Sequence, residues 1–300
     1  MRVGVLWTNL SLRELSRRLL QMGTPASRRT IRRVLRRLQV GRRTARKKKT
    51  MGQHPDRNAQ FENIARLRQE YLATGDPVIS IDTKKKELLG NFHRAGTTFT
   101  EQTVETLDHD FGSAGQGKLI PHGIYDLAHE HAHIHLNTSH DTGELCCDSM
   151  AQWWREYGAA RYPDAKRLLI LCDGGGSNSA TQYLFKEDLQ RLANELGLEL
   201  RVAHYPPYCS KYNPIEHRVF PHITRACQGV IFHTVDIAQQ FIERAKTTTG
   251  LHVTVGVLDK VYATGRKYAQ DFKANMKILF DDHLPKWNYR ALPESQQIGK

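Results

Sequence analysis

Long apolar runs are missing from this 300-residue chain. No stretch approaches the ~18 residues that a membrane-spanning helix needs. The N-terminus, MRVGVLWTNLSLRE, has no apolar segment behind its first charge, so it does not read as a secretory signal. Cysteine is scarce. Cys146, Cys147, Cys172, Cys209 and Cys227 are odd in number and never spaced CxxC. That argues against a disulfide scaffold and a cysteine-rich zinc site, and for a reducing cytosol. Acid is nearly absent from the first fifty residues, which hold 16 Lys+Arg against one carboxylate, Glu14, for a net charge of +15. The rest of the chain holds 28 Lys+Arg and 30 Asp+Glu, a net of −2, so the whole excess of +13 lies in the first sixth. With 39% apolar and 25% charged residues, the remainder can build a core.

The basic head has helical periodicity, which a solvated tail need not have. Ser11 and Glu14 have capping-box spacing, and Leu12, Leu15 and Leu19 follow on one face. Gly23-Thr24-Pro25 breaks that helix. Ser27 caps a second one, in which Ile31, Val34, Leu35 and Leu38 form an apolar stripe. Arg28, Arg29, Arg32, Arg33, Arg36 and Arg37 fill its other faces. Two short helices around a tight turn, the second densely basic, predict a small all-α helix-turn-helix region that binds double-stranded DNA. A membrane-surface helix is the rival, but the stripe holds no Trp or Phe. The following segment, with Arg42, Arg43, Lys47, Lys48 and Lys49, reads as a phosphate-binding arm. Residues 58–73 are helical again, with Phe61, Ile64, Leu67 and Leu72 near one face, and segment 51–76 is expected to link head (1–50) to core (77–300). The core is expected to fold by itself.

From residue 77 the pattern alternates. Short apolar runs at 78–81, 86–94, 123–127, 132–137, 167–172 and 199–203 read as strands, and 148–158 and 179–196 as helices. Residues 95–120 read as a long loop or insertion. Sequential strands followed by two αβ units predict an α/β fold, a mixed sheet flanked by helices.

Three acids sit at comparable places: Asp82 ends the first strand, Asp173 ends the buried run RLLILC, and Glu216 opens a helix after Asn213-Pro214. A carboxylate there is costly to bury without a cation. Hard oxygen ligands suit Mg²⁺ or Mn²⁺, and two such ions can clamp an in-line phosphoryl displacement. Each acid also has a plain reading: a strand end before a glycine turn for Asp173, a capping partner of Asn213 for Glu216, an exposed strand end for Asp82.

The strings VISIDTKKKELLGNF (78–92), IPHGIYDL (120–127), LLILCDGGGSN (168–178), PPYCSKYNPIEHRVF (206–220) and TTTGL (247–251) resemble the bacterial insertion-sequence DDE transposases of the ISAzo type, and more distantly the Tc/mariner enzymes. The resemblance runs over residues 51–290. It implies a ribonuclease-H-like core, with a five-stranded mixed sheet, and Asp82, Asp173 and Glu216 as its catalytic metal ligands. It further implies action on terminal inverted repeats and target DNA, as a homo-oligomer on DNA in the bacterial cytoplasm, at the nucleoid. The family usually has SKWNKIEH where this chain has SKYNPIEH, which leaves the ligand intact. Relatives are often longer at the N-terminus, so the DNA-binding region is expected to be cut short at Met1. The rivals are a nuclease of the same fold without strand joining, and an inactive DNA-binding remnant.

Weaker signals remain. His129, His131, His133 and His135 share one strand face, read as solvent-facing and polar in preference to a zinc site. The glycines of DGGGSN suit a turn that DNA backbone can approach. Lys84, Lys85 and Lys86 could contact phosphate, and Asp126 is a reserve metal ligand.

Overall fold

The computed structural model describes residues 8–43, 52 and 54–294, and the chain divides at Thr50 into two compact units. In the first, α1 (Leu12–Gln21) starts at Ser11, whose hydroxyl accepts the Glu14 amide at 3.1 Å. Only half of the capping box forms, because the Glu14 carboxylate turns to Arg17 (2.5 Å) and Arg18 (3.4 Å). Gly23 ends the turn at φ +73°, the left-handed region open to glycine. α2 (Arg28–Arg37) starts at Ser27. Of its predicted stripe Ile31 is buried and Leu35 half-buried, while Val34 and Leu38 stay exposed. All six arginines of α2 are exposed, as are Arg42 and Arg43. Lys47, Lys48 and Lys49 lie outside the described residues.

The second unit is a mixed sheet with helices on both faces. Its strands are β1 (Val78–Thr83), β2 (Glu87–Leu89), β3 (Gly117–Asp126), β4 (His131–Asn137), β5 (Arg167–Cys172), β6 (Glu199–His204), β7 (His252–Val257), β8 (Ile278–Phe280) and β9 (Asn288–Ala291). They lie in the order β7-β4-β3-β1-β5-β6-β9-β8, with β2 paired to β3 off this path. β3 runs antiparallel to β1 and β4, whereas β5 and β6 continue parallel to β1. The expected five strands are the central ones. The sheet has nine because β7 joins one edge, the β9–β8 hairpin joins the other, and β2 attaches to β3. The strand read over 86–94 shortens to β2, and β8 and β9 span only three or four residues each, too few to show an alternating pattern.

Alternation along β1 sorts the two faces. Ile79 and Ile81, with Ile170 and Cys172 of β5, pack under α4 (Gly143–Trp153) and α6 (Tyr183–Leu196) through Met150, Trp153, Phe185 and Leu189. After α4 a π-helical turn, Trp154–Gly158, leads into the short α5 (Ala159–Arg161). Val78, with Leu169 and Leu171, packs on the opposite face under Ile64, Leu67 and Tyr71 of α3 (Arg57–Ala73). The same face, further along the sheet, is covered by α7 (Pro214–Arg218), α8 (Phe220–Ala226) and α9 (Val235–Ile242). The last helix, α10 (Phe272–Asn275), precedes β8.

α3 is a core layer, where the sequence suggested a linker helix. Leu67 and Tyr71 are fully buried, and Gln60 donates to His204 O (2.9 Å) and to Asn288 Oδ1 (3.0 Å). Burying three large apolar side chains is worth roughly 5–8 kcal/mol, comparable to the net stability of a domain. A chain of residues 51–300 is therefore expected to unfold cooperatively on heating, and one of residues 77–300 to lack that transition. Equal melting curves for the two would refute this role of α3.

The histidine face of β4 is buried, contrary to the solvent-facing reading. It meets α4 and lies beside β7, whose hydroxyls take the Nδ1 atoms of His135 and His133, while His133 Nε2 is buried without a partner among the described residues. Ser149 Oγ bridges His122 Nδ1 (3.0 Å) and His135 Nδ1 (2.6 Å), and His133 Nδ1 pairs with Thr254 Oγ1 at 2.7 Å. Burial pushes His133 down to about 2, His122 to about 3 and His135 to about 4. Folded, these rings stay neutral where the unfolded chain protonates below about 6.5. Their contribution is present above pH 6.5 and is lost as pH falls toward 4. Chemical denaturation should show stability dropping by up to about 1.4 kcal/mol per pH unit per buried histidine in that window. A flat profile from pH 6.5 to 4.5 would contradict the burial.

Candidate active site

β1 and β5 are parallel neighbours in the register Val78↔Leu169, Ile79↔Ile170, Ser80↔Leu171. Two residues further along the same register come Asp82 and Asp173. Both share the parity of Val78 and Leu169, so both project from the face covered by α3 and α7. Adjacent parallel strands thus deliver two carboxylates side by side at their C-terminal ends.

The third acid is brought by a buried clamp. Asn213 Nδ2 donates to Ile81 O at 2.9 Å, and Ser80 Oγ donates to Asn213 Oδ1 at 2.5 Å. The Ile215 amide donates to the same Ser80 Oγ at 3.0 Å. Ser80 and Asn213 are wholly buried. Pro214 sits at the first helical position, where its missing N–H costs nothing. The first turn of α7, with Glu216, is thereby pinned to β1 next to Asp82. Gly123, the β3 partner of Asp82, makes room for it. A Cβ there would stand 2.6 Å from Ile215 Cδ1 and 3.0 Å from Phe220 Cε1.

The electrostatics show that the three acids feel one another. Asp82 is pushed up to about 8, chiefly by burial and then by the Asp173 and Glu216 carboxylates, with the Thr83 amide opposing at 2.8 Å. Asp173 is raised by burial and by Glu216, and its bond from the Gly175 amide (3.3 Å) works against that. Two of the lysines that follow Asp82 in sequence face other carboxylates. Lys84 pairs with Glu87 at 2.6 Å, which also holds Arg94, and Lys86 lies 3.7 Å from Asp141. Asp141 in turn accepts from Thr83 Oγ1 (3.1 Å) and Ser177 Oγ (3.2 Å), tying the glycine turn to the end of β1. Over that turn the space is open: a Cβ on Gly174, Gly175 or Gly176 would meet one atom each, none nearer than 3.5 Å.

Among the described residues no three His, Cys, Asp or Glu side chains form a ready-made metal cage, at the triad or along the histidine face. The donor set at the triad nevertheless fits a hard divalent cation: carboxylate oxygens on one face, half-buried, repelling one another. Asp126 does not belong here. It pairs with Ile79 at the other end of β1, and both its oxygens are held by Tyr162 Oη, at 2.8 and 3.0 Å.

A comparison with protein families matches residues 1–293 to the Rhodopirellula transposase DDE domain. The chain belongs to the transposase DDE-domain family. It is accordingly a DNA transposase, an enzyme of metal-dependent strand cleavage and transfer. Among curated proteins none matches. Among solved structures, the mariner Mos1 paired end complex with Mg is similar at TM-score 0.52 and 12% identity, over 84% of this chain and 77% of that one. The Mos1 mariner paired end complex with Mn gives 0.49 and 13%, over 81% and 74%. At 12% identity the first shows the fold, which is ribonuclease-H-like. No helix among the described residues of the transposase is long and apolar enough to cross a membrane.

Ser80, Gly123 and Asp141 were not singled out from the sequence, and Asn213 was read only as the start of the helix that carries Glu216. The signals were faint: a serine inside the apolar run VISI, an asparagine before a proline, a glycine within a strand.

Proposed function

We propose that Asp82, Asp173 and Glu216 hold two Mg²⁺ or Mn²⁺ ions at which the transposase cuts the ends of its own element and joins them to target DNA. The observation that carries this is the parallel pairing of β1 and β5, which places Asp82 at the end of one strand and Asp173 directly after the other, with α7 clamped beside β1. The cations, when bound, supply charge neutralisation on the scissile phosphate and activation of the attacking oxygen. The protein's own part is positional. β1 and β5 fix two carboxylates, the Ser80–Asn213 clamp fixes the third, and the open glycine turn admits the phosphate backbone. Water attacks the phosphodiester and leaves a 3′-OH, which then attacks the target strand. No covalent enzyme intermediate is needed, because orientation and charge stabilisation carry the step. Residues 1–50 act as the DNA-reading head on terminal inverted repeats and residues 51–300 as the catalytic unit. The transposase works as a homo-oligomer on DNA, in the cytoplasm at the nucleoid. The deciding assay incubates it with labelled element ends and Mg²⁺: cleavage together with joined products supports this reading. Cleavage alone would favour the nuclease, and binding without chemistry the remnant.

The head's share can be measured separately. Arg28, Arg32 and Arg36 recur at four-residue spacing along one exposed strip of α2. Each phosphate that a side chain neutralises contributes about 0.9 to the log–log salt slope of binding. Replacing all three with Ala is expected to flatten the slope by two to three, about one for each phosphate left without its arginine. An unchanged slope with unchanged preference for element ends would remove α2 from the interface.

A further inference from the structure

The loop from Tyr205 to Asn213 is fastened at both ends beside the acids. The Tyr205 amide donates to Cys172 O at 2.8 Å, one residue before Asp173, and Asn213 reaches Ile81 O, one residue before Asp82. Between these anchors Cys209 N donates to Pro206 O at 3.1 Å, closing a tight turn with Pro207 and Tyr208 at its centre. Tyr208 takes φ +61°. Glycine or asparagine suits that place in a turn, and a bulky side chain there is strained. Burial does not offset the strain, because Tyr208 is 62% exposed. Tyr212 on the same loop is 42% exposed, and the Lys211 ammonium stands 5.1 Å from its ring. Three residues from Tyr205, Tyr208 lies within about 11 Å of it by chain reach. One edge of the ring lies by Gly52, where an added Cβ would stand 3.3 Å from Tyr208 Cε2, and most of the ring is open. A largely open aromatic ring in a strained turn beside the triad fits a ligand contact.

We propose that Tyr208 is a stacking platform for an unpaired DNA base next to the scissile phosphate. This rests on the triad being the place where strands are cut. A paired base hides its faces in the duplex, whereas a strand being severed and moved exposes them, and an aromatic ring accepts any base. Lys211 adds positive charge for the flanking phosphate.

The test uses the full chain, Ca²⁺ in place of Mg²⁺, and a DNA duplex with a short single-stranded tail carrying 2-aminopurine. The fluorophore dims when it stacks on tyrosine. Wild type and Tyr208→Phe are expected to quench it severalfold at saturation, and Tyr208→Gly to leave it bright. Tyr208→Gly should also melt no lower than wild type, since glycine tolerates φ +61°. Its cleavage of element ends in Mg²⁺ should fall about tenfold or more. Equal quenching by wild type and Tyr208→Gly overturns the platform, as does absence of quenching in wild type. Failure of wild type to cut element ends in Mg²⁺ would sink the transposase reading instead, and the Ca²⁺ measurement still decides the stacking.

Discussion

Asp173→Asn is expected to leave the transposase folded and bound to DNA while lowering strand cleavage by about a thousandfold or more. Losing one ligand charge removes several kcal/mol of transition-state stabilisation, and each 1.36 kcal/mol is about tenfold in rate. Asp82→Asn and Glu216→Gln should behave alike, because the three carboxylates act as a unit. Stability should move the other way. Burial and its two acidic neighbours disfavour the ionised Asp82 carboxylate, so Asp82→Asn is expected to melt higher than wild type in metal-free buffer at pH 8. Mg²⁺ should then raise the melting temperature of wild type, by binding the native state, and shift the variants far less. Wild-type cleavage in any one variant would take that residue out of the site. A variant that melts several degrees lower in metal-free buffer would show that its carboxylate was structural.

The three candidate acids stand out in the sequence because each follows a strong local signal. Asp82 and Asp173 close short apolar runs, and Asn213-Pro214 announces the helix that carries Glu216. The central strands were legible for the same reason. What escaped notice depends on partners distant in the chain. The histidine ladder looks like a polar, solvent-facing strand until Ser149 and Thr254 are placed over it, and then it is core. α3 looks like a linker until Val78, Leu169 and Leu171 are seen beneath it. Asp126 has the same local pattern as Asp82 and Asp173, a carboxylate closing an apolar strand. Only the antiparallel register, Ile79↔Asp126, puts it at the wrong end of β1. Spacing reports which face a residue takes, and pairing reports which end of the sheet it reaches.

Ser80→Ala is expected to impair catalysis more than its size suggests. The hydroxyl is fully buried, donates to Asn213 Oδ1 and accepts from Ile215 N. Its loss leaves two buried groups unpaired, at about 1–3 kcal/mol each. It also leaves α7 with one of its three polar links to β1, the bond from Asn213 to Ile81 O. Glu216 would then be held less firmly, and a displacement of about 1 Å can cost about a hundredfold in rate. Ser149→Ala is the matched control. It too removes a buried hydroxyl between two partners, His122 and His135, but on the α4 face of the sheet, away from the triad. Both variants should lose comparable stability. Only Ser80→Ala should require more Mg²⁺ for half-maximal cleavage per folded molecule. If the two variants lost activity in equal measure, with the Mg²⁺ requirement unchanged in both, the clamp would be a stability feature and Glu216 would owe its position to something else.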